Sequence, residues 1–182
     1  VLHTDFTFGR SAGKQSAVII SAMDDGKVLY QGRKKKGDKG VKGSPVEYYN
    51  GTLVSDHEAA LIKHGERHQE CLAHVKRYAK GEAENEPKNT WGKKMDEWIK
   101  DSVGYWNEVN DGIKKYDKEI AERYVVRFME ILETARKEYE YEPPSKYYKD
   151  GYNTYKRMEE MPEEYVLFLR DPSVPPTNNL AE

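Results

Sequence analysis

Residues 2–8 read LHTDFTF. Apolar Leu2, Phe6 and Phe8 alternate with polar His3, Asp5 and Thr7, the period of a strand with one buried face. Gly9 to Lys14 carries two glycines and reads as a turn. Ser16 to Met23 (SAVIISAM) is apolar and rich in β-branched residues, Asp24-Asp25-Gly26 is a second turn signal, and Lys27 to Gln31 (KVLYQ) is a third short strand. Three strands joined by tight glycine-containing turns form an antiparallel meander. A fourth strand is predicted at Thr52 to Ser55 (TLVS), a short helix over His57 to Lys63, a fifth strand at His68 to Leu72, and a helix from Ala73 to about Gly81.

The period then changes. Trp91, Met95, Trp98, Ser102, Tyr105, Val109 and Ile113 recur at spacings of three and four, as do Ile120, Tyr124, Phe128, Ile131, Ala135 and Tyr139. These are the buried stripes of two amphipathic helices. Pro143-Pro144 ends the second, since proline has no N–H to donate and restricts the residue before it. Ser145 is placed to cap a third helix running to about Met161, and Pro162 to open a fourth, Glu163 to Arg170. A proline-rich loop follows, and Asn178 to Glu182 reads as the first turn of another helix. The expected fold class is therefore α/β. Its core is a mixed sheet of three antiparallel and then two parallel strands in the ribonuclease H-like order, with a large all-helical insertion. The divisions fall at 1–81 (first part of the core), 82–161 (insertion) and 162–182 (return to the core).

The chain has 182 residues, of which 37% are hydrophobic and 34% charged. Its 14 Tyr, 3 Trp and 4 Phe argue against disorder, because disordered chains are poor in aromatics. No apolar run approaches the ~18 residues of a membrane span. The single cysteine, Cys71, excludes an internal disulfide framework and suits a reducing, cytoplasmic setting. The sequence starts at Val1 and stops at Glu182 directly after a turn motif, so a piece of a longer protein is expected. A net charge of −2 does not point to nucleic acid. Divided at Gly81, however, residues 1–81 carry 14 Lys+Arg and 9 Asp+Glu, a net of +5, and the remainder 16 and 23, a net of −7. That leaves the first part open to DNA and makes the insertion a poor phosphate binder except on local faces.

Two carboxylates stand out. Asp5 sits in mid-strand, where aspartate is depleted, and Asp56 sits at the carboxyl end of the fourth strand. On neighbouring strands they form an all-oxygen donor set suited to Mg²⁺ or Mn²⁺. Asp56 is equally placed to cap the helix after it. Cys71-Leu72-Ala73-His74 has the spacing of half a zinc site, but no second pair stands at finger spacing, and Cys71 reads better as a buried residue at a strand end. The run Arg33, Lys34, Lys35, Lys36, Lys39, Lys42 carries one acid, Asp38, and reads as a flexible basic loop. It is either a solvated surface or a phosphate contact.

Several segments in order resemble the insertion sequence 66 family of bacterial transposases: His3-Thr4-Asp5, Gly13-Lys14-Gln15-Ser16, Lys42 to Glu47 (KGSPVE), Leu53 to His57 (LVSDH), His68 to Val75 (HQECLAHV) and Pro176 to Glu182 (PTNNLAE). The resemblance implies a DDE catalytic domain that cleaves and joins DNA with two Mg²⁺ or Mn²⁺ ions. It makes Asp5, Asp56 and Glu182 the catalytic metal ligands, gives Cys71, His74, Asn178 and Asn179 supporting roles, and implies DNA (transposon ends and target) as partner, a homo-oligomer in the active complex and no membrane. The family motif continues with an arginine and a helix, whereas this sequence stops at Glu182. Two rivals stay open: a ribonuclease H-like nuclease that only hydrolyses, and an inactive remnant that only binds DNA or protein.

Overall fold

The computed structural model describes residues 1–181. It divides the chain into two compact units, Val1–Cys71 with Val174–Glu182, and Leu72–Ser173. Each has its own apolar core.

The first unit is a five-stranded mixed sheet. Its strands are β1 (Leu2–Ser11), β2 (Lys14–Met23), β3 (Val28–Arg33), β4 (Thr52–Ser55) and β5 (Arg67–Glu70), in the order β3-β2-β1-β4-β5. β1, β2 and β3 are antiparallel neighbours, while β4 runs parallel to both β1 and β5. Three antiparallel strands followed by two parallel ones is the arrangement read from the sequence. The alternation of LHTDFTF is realised as expected: Leu2 and Phe6 pack with Ala17, Ile19, Val41, Val46, Leu53 and Leu61 on one face.

Four local readings need correction. The glycine-rich stretch 9–14 is mostly strand, because the ladder runs on to Ser11 opposite Lys14. Only Ala12 and Gly13 turn the chain, with φ of 48° and 74°. Two successive positive φ values suit the twist of a two-residue hairpin. The helix expected over 57–63 is absent; the chain makes turns there, with Leu61 N–H donating to Glu58 O at 2.7 Å. Burial of Ala60 and Leu61 in the sheet core and the positive-φ Gly65 suit a compact turn better than a helix. The basic run is not simply a flexible loop either. Within it Asp38–Val41 forms a one-turn helix, α1, and Pro45–Tyr48 a second, α2. Val41 and Val46 anchor them in the core. Last, the helix expected from Ser145 begins at Asp150; Ser145 Oγ instead accepts the N–H of Tyr147 within the preceding turn.

The second unit is all-helical: α3 (Leu72–Asn85), α4 (Trp91–Asn110), α5 (Lys118–Tyr141), α6 (Asp150–Glu160) and α7 (Glu163–Arg170). The two expected stripes are buried, Trp91, Met95, Trp98, Ser102 and Tyr105 from α4 and Phe128, Ile131, Ala135 and Tyr139 from α5. Ile113 departs from this: α4 has ended by then and the side chain is exposed. Asp117 caps α5, accepting from the N–H groups of Glu119 and Ile120. α4 is capped from a distance, because Glu138 of α5 takes the N–H groups of Thr90 and Trp91. Inside the bundle one buried carboxylate oxygen, Glu82 Oε1, accepts from Asn89 Nδ2, Trp91 Nε1 and the Tyr139 hydroxyl at 2.8, 3.2 and 2.8 Å. Burial and that carboxylate push the Tyr139 phenol upward. No helix among the described residues is long and apolar enough to cross a membrane.

Candidate functional site

The candidate site lies where β1 and β4 run side by side. Leu2 pairs with Leu53 and His3 with Val54, an offset of 51 residues. Continued for two residues, the same offset sets Asp5 opposite Asp56, just past the end of β4. Parallel strands lie about 4.8 Å apart and residues in register point to the same face. The two carboxylates therefore share one face, the one opposite the Leu2–Phe6 core. Both side chains are half-buried, so they are fixed by their surroundings yet reachable from solvent. Asp5 Oδ1 accepts the N–H of Phe6 at 2.7 Å, which orients its carboxyl group. His3 stands on the same face, fully buried, with Nε2 3.2 Å from Asp24 Oδ1. Burial holds its imidazole below the ordinary histidine range, against the opposite pull of Asp24.

Asp56 is bracketed by its chain neighbours. Ser55 Oγ donates to the Asp56 carbonyl at 2.8 Å and lies 2.8 Å from His68 Nε2. On the other side, the His57 imidazole donates through Nδ1 to Glu70 Oε1 at 2.6 Å. Asp56 O also accepts the N–H of Glu58, and Ser55 O accepts that of Cys71. Both neighbours of Asp56 are thus tied to β5. Glu70 and His68 are buried. The reading from sequence quoted this stretch but assigned Glu70 and His57 no part. The signal available was a glutamate inside a strand, where that residue is depleted.

The carboxyl-terminal segment reaches the same region. Asn178 is buried; its side-chain Nδ2 donates to Thr4 O at 2.8 Å and its backbone N–H to Cys71 Sγ at 3.3 Å. One residue therefore links the strand position just before Asp5 to the end of β5. Cys71 is buried directly after β5, as expected. Residues 178–181 make a turn closed by Ala181 N–H to Asn178 O, and Asn179 is exposed. Glu182, the expected third acid, lies outside the described residues. His74 is half-exposed on α3, in the helical unit.

The basic side chains divide into two groups. Arg33 is partly committed to structure, with Nε donating to Gly40 O at 2.7 Å. Lys36 lies over the Phe8 ring, 4.4 Å from its centroid. Lys34, Lys35, Lys39 and Lys42 are exposed.

The comparison that decides the family is with protein-family models. The model of the transposase IS66 family matches residues 2–182, essentially the whole sequence. This chain belongs to the transposase IS66 family. Searches of curated proteins and of solved structures return no match. Within this IS66-family transposase chain, the matched span takes in both the sheet that carries Asp5 and Asp56 and the helical unit placed between β5 and the returning segment.

Proposed function

We propose that this chain is the catalytic part of a DDE transposase with a ribonuclease H-like core, which cuts and joins DNA strands at a metal site built on Asp5, Asp56 and Glu182. The observation that carries the reading is the shared offset of 51 residues that brings Asp5 and Asp56 to one level on adjacent parallel strands. The strand order and directions support the ribonuclease H-like assignment. Family membership supplies the substrate class, DNA.

The donor set fits hard divalent cations: carboxylate oxygens at a strand end, half-buried, with room for several waters. Bound Mg²⁺ or Mn²⁺ supplies Lewis acidity toward phosphoryl oxygens and lowers the pKa of an attacking water. The chain's own groups do the rest. Asp5 and Asp56 hold the charge on one face of the sheet, and Glu182 completes the set. Ser55–His68 and His57–Glu70 fix the backbone on either side of Asp56. Asn178 holds the returning segment beside Thr4, while Cys71, His74 and Asn179 support the same end of the sheet. Arg33, Lys34, Lys35, Lys36, Lys39 and Lys42 contact phosphates and position the strand. Water attacks a phosphodiester, the bond to the 3′-oxygen breaks and a 3′-hydroxyl is freed. That hydroxyl then attacks a target phosphodiester, forming one P–O bond as another breaks.

Isothermal titration with Mn²⁺ tests the site. Asp5→Asn and Asp56→Asn each remove a charged ligand, so each is expected to weaken Mn²⁺ binding at least tenfold. Unchanged affinity in both variants would sink the assignment. Joining of pre-cut transposon ends to a target separates strand transfer from hydrolysis alone.

A further inference from the structure

The first hairpin is longer than the sheet that holds it. β2 is partnered by β3 only from Ala22 to Ala17, and β1 by β4 only at Leu2 and His3. From Gly9 to Ser16 the two strands pair only with each other. An isolated two-stranded hairpin is marginal in water, so this ribbon depends on its root in the sheet. No acidic residue occurs between Phe6 and Met23, although nearly a fifth of the chain is Asp or Glu. The ribbon's exposed groups are Phe8, Arg10, Lys14 and Gln15, with Lys36 held over the Phe8 ring at its base. Phe8 is 64% exposed, an unusual setting for a ring that takes no part in the core. In the ladder Arg10 is level with Gln15 and Ser11 with Lys14. By alternation, Arg10 falls on the face of Phe8 and Lys14 on the face of Asp5, so the ribbon presents a cation on each side.

We propose that the β1–β2 ribbon, Gly9 to Ser16, is a DNA-binding arm that lies in a groove of the duplex next to the cleavage site. The inference rests on the reading of the Asp5–Asp56 end as the metal site and adds the place where duplex DNA runs from it. A two-stranded ribbon fits the width of the major groove, where Arg, Lys and Gln side chains reach phosphates and base edges. Because β1 carries both Asp5 and Arg10, the distance between them is set by the strand: five residues, about 17 Å. At ~3.4 Å per base pair that is about five base pairs from the scissile phosphate.

The test is duplex binding as a function of salt, using fluorescence anisotropy of a labelled mixed-sequence duplex and the full chain. Each phosphate contact contributes about 0.9 to the slope of log K against log salt. The double variant Arg10→Ala/Lys14→Ala is therefore expected to lose about 2 from the slope and to bind roughly tenfold more weakly per lost contact at 0.1 M salt. A control with the same charge change in the helical unit, Lys88→Ala/Lys137→Ala, should leave the slope unchanged. Hydroxyl-radical footprinting should show the variant losing protection about five base pairs from the cut. An unchanged slope in the ribbon variant overturns the proposal. So does sedimentation showing that the variant instead abolishes a DNA-free dimer, which would make the ribbon a contact between copies. Mn²⁺ titration keeps the two readings apart. The ribbon variant should retain wild-type Mn²⁺ affinity, which also reports an intact sheet. If Asp5→Asn and Asp56→Asn keep that affinity while the ribbon variant loses its slope, the metal reading fails and the arm stands.

Discussion

At the scale of single residues, what could be read in advance was whatever showed itself through strand period. Asp5 announced itself as a charge in a strand, and Asp56 as an acid at a strand end. The parallel offset of β1 and β4 then brought them level. Glu70, His57 and the hydrogen bonds of Asn178 were not readable in the same way, because their roles come from pairings across 13 or more residues that no local pattern encodes. Asn178 is the sharper case. Its side chain is the buried donor to Thr4 O, one residue before Asp5. Asn178→Ala leaves that carbonyl without this partner, which costs ~1–3 kcal/mol in a buried setting. Urea unfolding followed by circular dichroism should show a loss of that size, with Mn²⁺ affinity weakened as well if the returning segment steadies the Asp5 end. A loss under ~0.5 kcal/mol would mean that water replaces the donor.

At the scale of elements, helices with a long apolar stripe were the most legible. Glu163–Arg170 and Thr52–Ser55 have the expected bounds, and α4 and α5 bury the expected stripes almost residue for residue. Turns and short connections were the least legible, since tertiary burial decided them. Val41 drew part of a lysine-rich run into the core, and Leu61 suits a compact turn where a helix was expected. Capping shows the same limit: α4 is capped by Glu138, 48 residues from Thr90, where sequence reading looks only nearby. Two helical glycines separate packing from propensity. A Cβ at Gly151 in α6 would stand 1.9 Å from Glu82 Oε2 and 2.7 Å from its Cδ. That carboxylate is held by Asn89, Trp91 and Tyr139 through its other oxygen and cannot swing away without breaking these bonds. Gly151→Ala is expected to destabilise by ~1–3 kcal/mol. A Cβ at Gly104 in α4 meets nothing within 4 Å, so Gly104→Ala should stabilise by ~0.8–1 kcal/mol through helix propensity alone. Thermal unfolding of the two variants should move in opposite directions; parallel shifts would refute the packing account of Gly151.

At the scale of the whole molecule, the boundaries of the two units change the meaning of the charge. The net of +5 for residues 1–81 includes Lys76, Arg77 and Lys80, which lie on α3 in the helical unit. Counted by unit, the sheet carries 11 Lys+Arg and 10 Asp+Glu, and the helical unit 19 and 22. The sheet unit is therefore nearly neutral overall. Its positive charge is local, concentrated in the acid-free ribbon and in the run from Arg33 to Lys42. A binding test should accordingly follow these segments and not net charge. The two units also carry separate natural reporters. All three tryptophans, Trp91, Trp98 and Trp106, fall in the helical unit, while the single cysteine, Cys71, is buried at the end of β5 in the sheet unit. Tryptophan fluorescence thus reads one core and thiol labelling reads the other. An ion that binds Asp5 and Asp56 in the folded sheet, and not in the opened one, adds RT ln(1 + [L]/Kd) to the opening free energy, about 2.7 kcal/mol at a hundred times Kd. Labelling of Cys71 by a thiol reagent, under conditions where opening is in rapid equilibrium, should then slow about 100-fold at that Mn²⁺ concentration. Asp56→Asn should abolish the protection while leaving the metal-free labelling rate close to that of the unsubstituted chain. Equal Mn²⁺ protection with and without Asp56 would place the ion elsewhere and remove the sheet's carboxylate pair from its binding.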